Sequence, residues 1–165
     1  REYLPADGAE GKIESAALGD VVKVRLTVVA PTDLYYVVVE DNLPAGLEPI
    51  DTSLQTTSSE IRQMMLDEQR KAAGEGQGRG WGWWSYRWSF FNHVDMRDNR
   101  VVLFATYLPR GVHEYVYFLR ATTAGEYRVM PAQANEMYFP EVWGRTDGAL
   151  FSVMPEIAET SATVE

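Results

Sequence analysis

The sequence predicts a mainly β protein, an antiparallel β-sandwich with one inserted α-helix, and three observations carry that reading. In DVVKVRLTVVA (20–30), Val22, Val24, Leu26 and Val28 fall on one side and Lys23, Arg25 and Thr27 on the other. That period of two is the signature of a strand with one buried face. Further short runs rich in β-branched and aromatic residues follow, separated by turn residues, as in a sandwich. One stretch, 58–73, instead spaces Ile61, Met64 and Met65 at helical intervals.

Residues 1–18 form an opening segment and 19–154 the domain proper. The strand over 20–30 is followed by YYVVVE (35–40), which DNLPAG (41–46) stops with Asn42, Pro44 and Gly46. The helix over 58–73 starts at Ser58 and Ser59, which cap it, and ends at Gly74. The glycine-rich run 74–80 reads as a linker. Strands are then expected over 84–92, 100–108, 114–122, 125–130, 132–139 and 149–154, with Pro140 ending the seventh of these eight. The remaining residues, 155–165, read as a disordered or truncated tail. The first residue is Arg1 rather than methionine, which suggests a piece or processed product of a longer protein.

Composition narrows the chemistry. With 165 residues, a core forms without a metal or disulfide to hold it. A net charge of −9 argues against a nucleic-acid surface and against docking on an anionic membrane. No apolar run has the length of a membrane span, so direct membrane insertion is not expected. The absence of cysteine removes thiolate nucleophiles, cysteine-ligated zinc and redox pairs. No cofactor-binding motif is present, and the glycine-rich run leads into tryptophans rather than opening a helix after a strand.

Trp81, Trp83, Trp84 and Trp88 could form a carbohydrate platform, although core and helix packing explains them more simply. HVDMRDNR (93–100) offers Asp95, Asp98 and Asn99, but lacks the spacing and terminal glutamate of a calcium loop and reads as a hairpin turn. His93 and His113 have no nucleophile elbow to serve, and Glu114, Glu136 and Glu141 do not stand out as a hydrolytic pair. An independent hydrolase is therefore the least supported reading. In ANEMYFPEVWGR (134–145), Met137, Tyr138, Phe139 and Trp143 crowd beside Pro140 and Gly144, as either a core plug or an interaction surface.

Taken together, GDVVKV (19–24), YVVVEDNLPAG (36–46), YLPRGVHEYVYFLRATTAGEYRVMPA (107–132) and EMYFPEVWGR (136–145) resemble the terminal macroglobulin-like domain of bacterial alpha-2-macroglobulins. The resemblance runs from about Gly19 to Val153, and only 74–84 departs from it. It implies a non-catalytic sandwich within a large extracytoplasmic protease trap, whether periplasmic, envelope-anchored or secreted. In such proteins a protease cuts a bait region, and a thioester in a separate domain then acylates the attacker. The implied partners are that thioester domain and the trapped proteases. Met137 and Tyr138 would shield the thioester from water, with Glu136, Phe139 and Trp143 as further candidates for interdomain contact. The rival is a secreted carbohydrate-binding sandwich using Trp81, Trp83, Trp84 and Trp88.

Overall fold

A computed structural model of the chain describes residues 1–9, 11–50, 63 and 90–155. The helix expected over 58–73, apart from residue 63, the glycine-rich run 74–80, the four tryptophans at 81, 83, 84 and 88, and residues 156–165 of the tail lie outside these.

Alternating apolar residues build three sheets around one core. A four-stranded sheet has the order β1 (Glu2–Pro5), β3 (Val21–Ala30), β8 (Gly111–Ala121), β5 (Leu47–Pro49). A five-stranded sheet has the order β11 (Trp143–Arg145), β10 (Gln133–Glu136), β4 (Leu34–Asn42), β7 (Arg100–Leu108), β6 (His93–Arg97). The third sheet places β12 (Ala149–Met154) between β2 (Ser15–Ala17) and β9 (Gly125–Val129). Pairing is antiparallel except between β12 and β2.

Val22, Val24 and Leu26 from β3, Leu103 and Leu108 from β7, Tyr117 and Leu119 from β8, and Phe151 from β12 are all buried in one cluster. The Tyr3 and Phe151 rings, 4.9 Å apart, join the four-stranded and three-stranded sheets. Burial of such side chains from every sheet supplies the main stabilisation, at about 1.5–3 kcal/mol for each large apolar side chain.

The DNLPAG segment forms the corner where the chain leaves β4 for β5. Asp41, Leu43, Pro44 and Gly46 are buried, while Ala45 is exposed. Leu47 N–H donates to the Pro44 carbonyl at 2.9 Å, closing the turn, and Thr122 N–H donates to the Gly46 carbonyl at 2.9 Å, docking it beside β8. A Cβ on Gly46 would stand 2.1 Å from the Tyr127 ring, so only glycine fits there.

Several boundaries differ from the sequence reading. His93–Arg97 is a strand, and only residues 98–99 form the turn, with Arg97 opposite Arg100 in a two-residue hairpin. Asp95 is thus a strand residue, and its carboxylate accepts from Arg97 Nε at 2.8 Å. The opening segment contributes β1 and β2. The strand expected over 132–139 spans only Gln133–Glu136, for a reason found at its end.

Candidate functional site

Along β4 the residues Val37, Val39 and Asp41 face the core, so strict alternation would turn Tyr35 inward as well. Instead Tyr35 and Tyr36 are both exposed, and Leu34 packs against the core. The opposite strand changes phase at the same place. Val101, Leu103 and Ala105 are buried, Thr106 and Tyr107 are exposed, and Leu108 is buried. Register is kept on both sides, with Leu34 opposite Leu108 and Val37 opposite Ala105. Two successive outward positions on each strand thereby create a ledge carrying Tyr35, Tyr36 and Tyr107.

The backbone at Tyr36 makes this possible. Its φ of 53° lies in the left-handed region that non-glycine residues rarely enter. Two side chains take up donors at the phase change. Glu136 Oε1 accepts from Tyr35 N–H at 2.7 Å, and Asn92 Oδ1 accepts from Thr106 N–H at 3.3 Å. Glu136 is buried, so this bond accounts for a carboxylate that would otherwise be costly inside the fold.

The same feature ends β10. Met137 N–H donates to the Tyr36 carbonyl at 2.9 Å, after which the chain turns away. Val142 N–H closes the turn onto the Phe139 carbonyl at 2.9 Å, and β11 returns with Trp143 opposite Asn135. Met137, Tyr138, Phe139 and Trp143 are 53%, 69%, 56% and 64% exposed. The Tyr138 ring meets the Tyr36 ring edge to face, with centroids 5.2 Å apart, and the Arg145 guanidinium lies 5.8 Å from the Trp143 ring. An apolar tip and an aromatic ledge therefore stand side by side. Tyr35 and Tyr107 stack obliquely at 5.3 Å. The Tyr107 hydroxyl donates to Asp33 at 3.1 Å, and this bond raises its pKa above the ordinary phenol value.

Of the residues grouped at this tip by sequence, Met137, Tyr138, Phe139 and Trp143 are exposed, and Glu136 turns inward. Tyr35, Tyr36 and Tyr107 join them without having been singled out. The available signal was the doubled tyrosine at the head of YYVVVE, because a period of two cannot place both on the outer face. Beside the tip, a cavity of about 330 Å³ opens between the sheets, lined by Leu26, Val28, Leu34, Val39, Ala134 and Trp143 among others. Its mainly apolar lining offers packing rather than acid–base chemistry.

The other candidates are scattered. His93 is exposed on β6, at the edge of the five-stranded sheet. His113 is buried on β8, in the opposite sheet, with Nε2 2.7 Å from the Pro109 carbonyl oxygen. Glu114 and Glu141 are exposed. Among the described residues there is no cluster of three or more metal-ligating side chains, and no helix long and apolar enough to cross a membrane.

Comparison with known proteins places this geometry in a family. The model of the bacterial alpha-2-macroglobulin MG10 domain matches residues 1–141. An alpha-2-macroglobulin homolog from Nostoc sp. is 31% identical over 130 residues, 79% of this chain and 6% of the relative. The crystal structure of Salmonella alpha-2-macroglobulin reacted with methylamine superposes with a TM-score of 0.67 at 29% identity, covering 93% of this chain and 9% of that one. That of trypsin-activated alpha-2-macroglobulin from Escherichia coli gives a TM-score of 0.72 at 28% identity, covering 93% of this chain and 10% of that one. The chain thus spans a small fraction of each relative's length. It belongs to the bacterial alpha-2-macroglobulin MG10 domain family.

Proposed function

We propose that this domain is a non-catalytic part of a bacterial alpha-2-macroglobulin protease trap, and that it packs on and shields the thioester domain in the resting state. The observation that carries the proposal is the set of large apolar side chains held outward at one tip, Met137, Tyr138, Phe139 and Trp143. Such a cluster is a liability on a free surface and is suited to a covered one. A thioester persists only where water and amines are kept out, and a thioether beside a phenol ring makes a dry cover. Met137 and Tyr138 are assigned that role, with Phe139 and Trp143 flanking the contact and Glu136 fixing the backbone beneath it.

The relatives support the wider reading. One was activated by trypsin and another was reacted with the small amine methylamine, as expected of a trap whose acyl group is released by cleavage. The partners are then the thioester domain of the same protein and the proteases caught by the whole. Proteases met outside the cytoplasm call for an extracytoplasmic location. The test is methylamine incorporation into the uncleaved parent protein. The double variant Met137→Ala, Tyr138→Ala should react faster than the wild type, and an unchanged rate would remove the shielding role.

A further inference from the structure

Tyr36 carries two unusual properties at once. It is a bulky residue in the left-handed backbone region, and its ring is the edge partner of Tyr138. Such a conformation is uphill for a residue with a side chain and persists only where its surroundings hold it. What holds it here is identifiable. Glu136 Oε1 receives the Tyr35 N–H at 2.7 Å, and the Tyr36 carbonyl receives the Met137 N–H at 2.9 Å. These two bonds straddle Tyr36 and connect it to both sides of the Glu136–Met137 peptide. A strand without the turn would point Tyr35 into the core.

We propose that Tyr36 and Glu136 are positioning residues for the Met137–Tyr138 pair. The left-handed turn at Tyr36, braced by the buried Glu136 carboxylate, fixes where the Tyr138 ring stands before any partner domain arrives. Preorganisation of this kind matters because an exposed tyrosine free to rotate loses conformational freedom on docking and covers its target less of the time. The proposal rests on the shielding reading for its purpose, but the positioning itself is a property of this chain.

Two measurements separate the two. In the 165-residue chain, Tyr36→Asn keeps a residue that tolerates left-handed φ while deleting the ring. The Tyr138 ring resonances should lose their ring-current shift, with core amide resonances unchanged. Glu136→Ala should broaden or shift the Met137 and Tyr138 signals, whereas Tyr36→Phe and Glu136→Gln, which retain ring and acceptor, should preserve them. In a thioester-containing parent protein, Tyr36→Asn and Glu136→Ala should each raise the methylamine rate about three- to tenfold, the scale an aromatic edge contact supports. Tyr36→Phe and Glu136→Gln should stay near the wild-type rate.

If Tyr138→Ala accelerates the reaction but Tyr36→Asn and Glu136→Ala do not, positioning is overturned while shielding stands. If Tyr138→Ala leaves the rate unchanged, shielding fails, and the resonances decide positioning alone. Unshifted Tyr138 signals in Tyr36→Asn overturn it, and shifted ones support it.

Discussion

Tyr117 on β8 donates a 2.7 Å hydrogen bond to Asp41 on β4, joining the four-stranded and five-stranded sheets inside the core. The other Asp41 oxygen receives the Arg1 guanidinium at 2.5 Å, and the Arg1 and Asp41 side chains are 2% and 0% exposed. Arg1 also donates to the Met130 carbonyl at 3.0 Å, so one cation ties β1, β4 and the end of β9 together. Burial, and then the Asp41 charge, holds the Tyr117 hydroxyl well above the ordinary phenol value. Burial also raises the Asp41 pKa above 3.8, with Arg1 and the Tyr117 hydroxyl opposing it.

A raised carboxyl pKa means the folded state binds the proton more tightly than the unfolded one. The contribution of Asp41 to stability is therefore fully present below its unfolded value of 3.8, and is lost as pH rises through the higher folded value. Arg1 limits that loss by supplying the countercharge. Arg1→Met should cost about 3–5 kcal/mol at neutral pH, as removing one partner of a buried pair does. The cost should shrink as pH falls toward 3.8, and adding Asp41→Asn should recover most of it. Denaturant titrations at stepped pH measure this, and a cost independent of pH would show that Asp41 is not the group left unpaired.

Gly46→Ala should destabilise by about 1–3 kcal/mol, the range for overpacking a close contact. The added methyl would stand 2.1 Å from the Tyr127 ring and 2.7 Å from the Thr123 carbonyl oxygen, and the latter belongs to the backbone and cannot swing aside. Ala45→Ser, at the exposed neighbouring position, should change stability by no more than about 0.5 kcal/mol. Thermal melts of the pair check the contrast.

Met137→Ala with Tyr138→Ala should alter the stability of the isolated chain by less than about 1 kcal/mol, because both side chains are mostly exposed. Leu103→Ala, at a wholly buried position, should cost about 2–5 kcal/mol. A double variant as damaging as Leu103→Ala would make the pair part of the core and remove it from any interface.

A chelator should leave the melting temperature of the chain unchanged. Asp95 is occupied by Arg97 at 2.8 Å, and residues 98–99 make a hairpin turn rather than an ion cage. A drop of several degrees on adding EDTA would contradict this reading of the turn.

The strands that were legible from sequence were those whose one buried face repeats over many residues. Val22 to Val28 and Val101 to Ala105 show it, and β3 and β7 lie where the pattern puts them. β1, β2, β5 and β11 have three or four residues each, too few for any period to emerge. β6 was hidden because an edge strand with half-exposed Val94, Asp95 and Met96 does not alternate. The ion pair of Arg1 and Asp41 joins residues forty positions apart, and no local pattern reports it. At the tip, the crowding of Met137, Tyr138, Phe139 and Trp143 was plain, and their possible role came from the family resemblance. The left-handed turn at Tyr36 was not legible, because a Tyr-Tyr-Val run carries none of the glycine or asparagine that usually marks one.

The central claim is that the Tyr138 face is covered by the thioester domain until a protease cuts. A photo-crosslinking amino acid placed at position 138 of the full-length parent tests it most directly. Irradiation of the uncleaved protein should join position 138 to the thioester domain, and prior cleavage by a target protease should abolish that product. Equal crosslinking before and after cleavage, or none to the thioester domain in the uncleaved protein, would contradict the account.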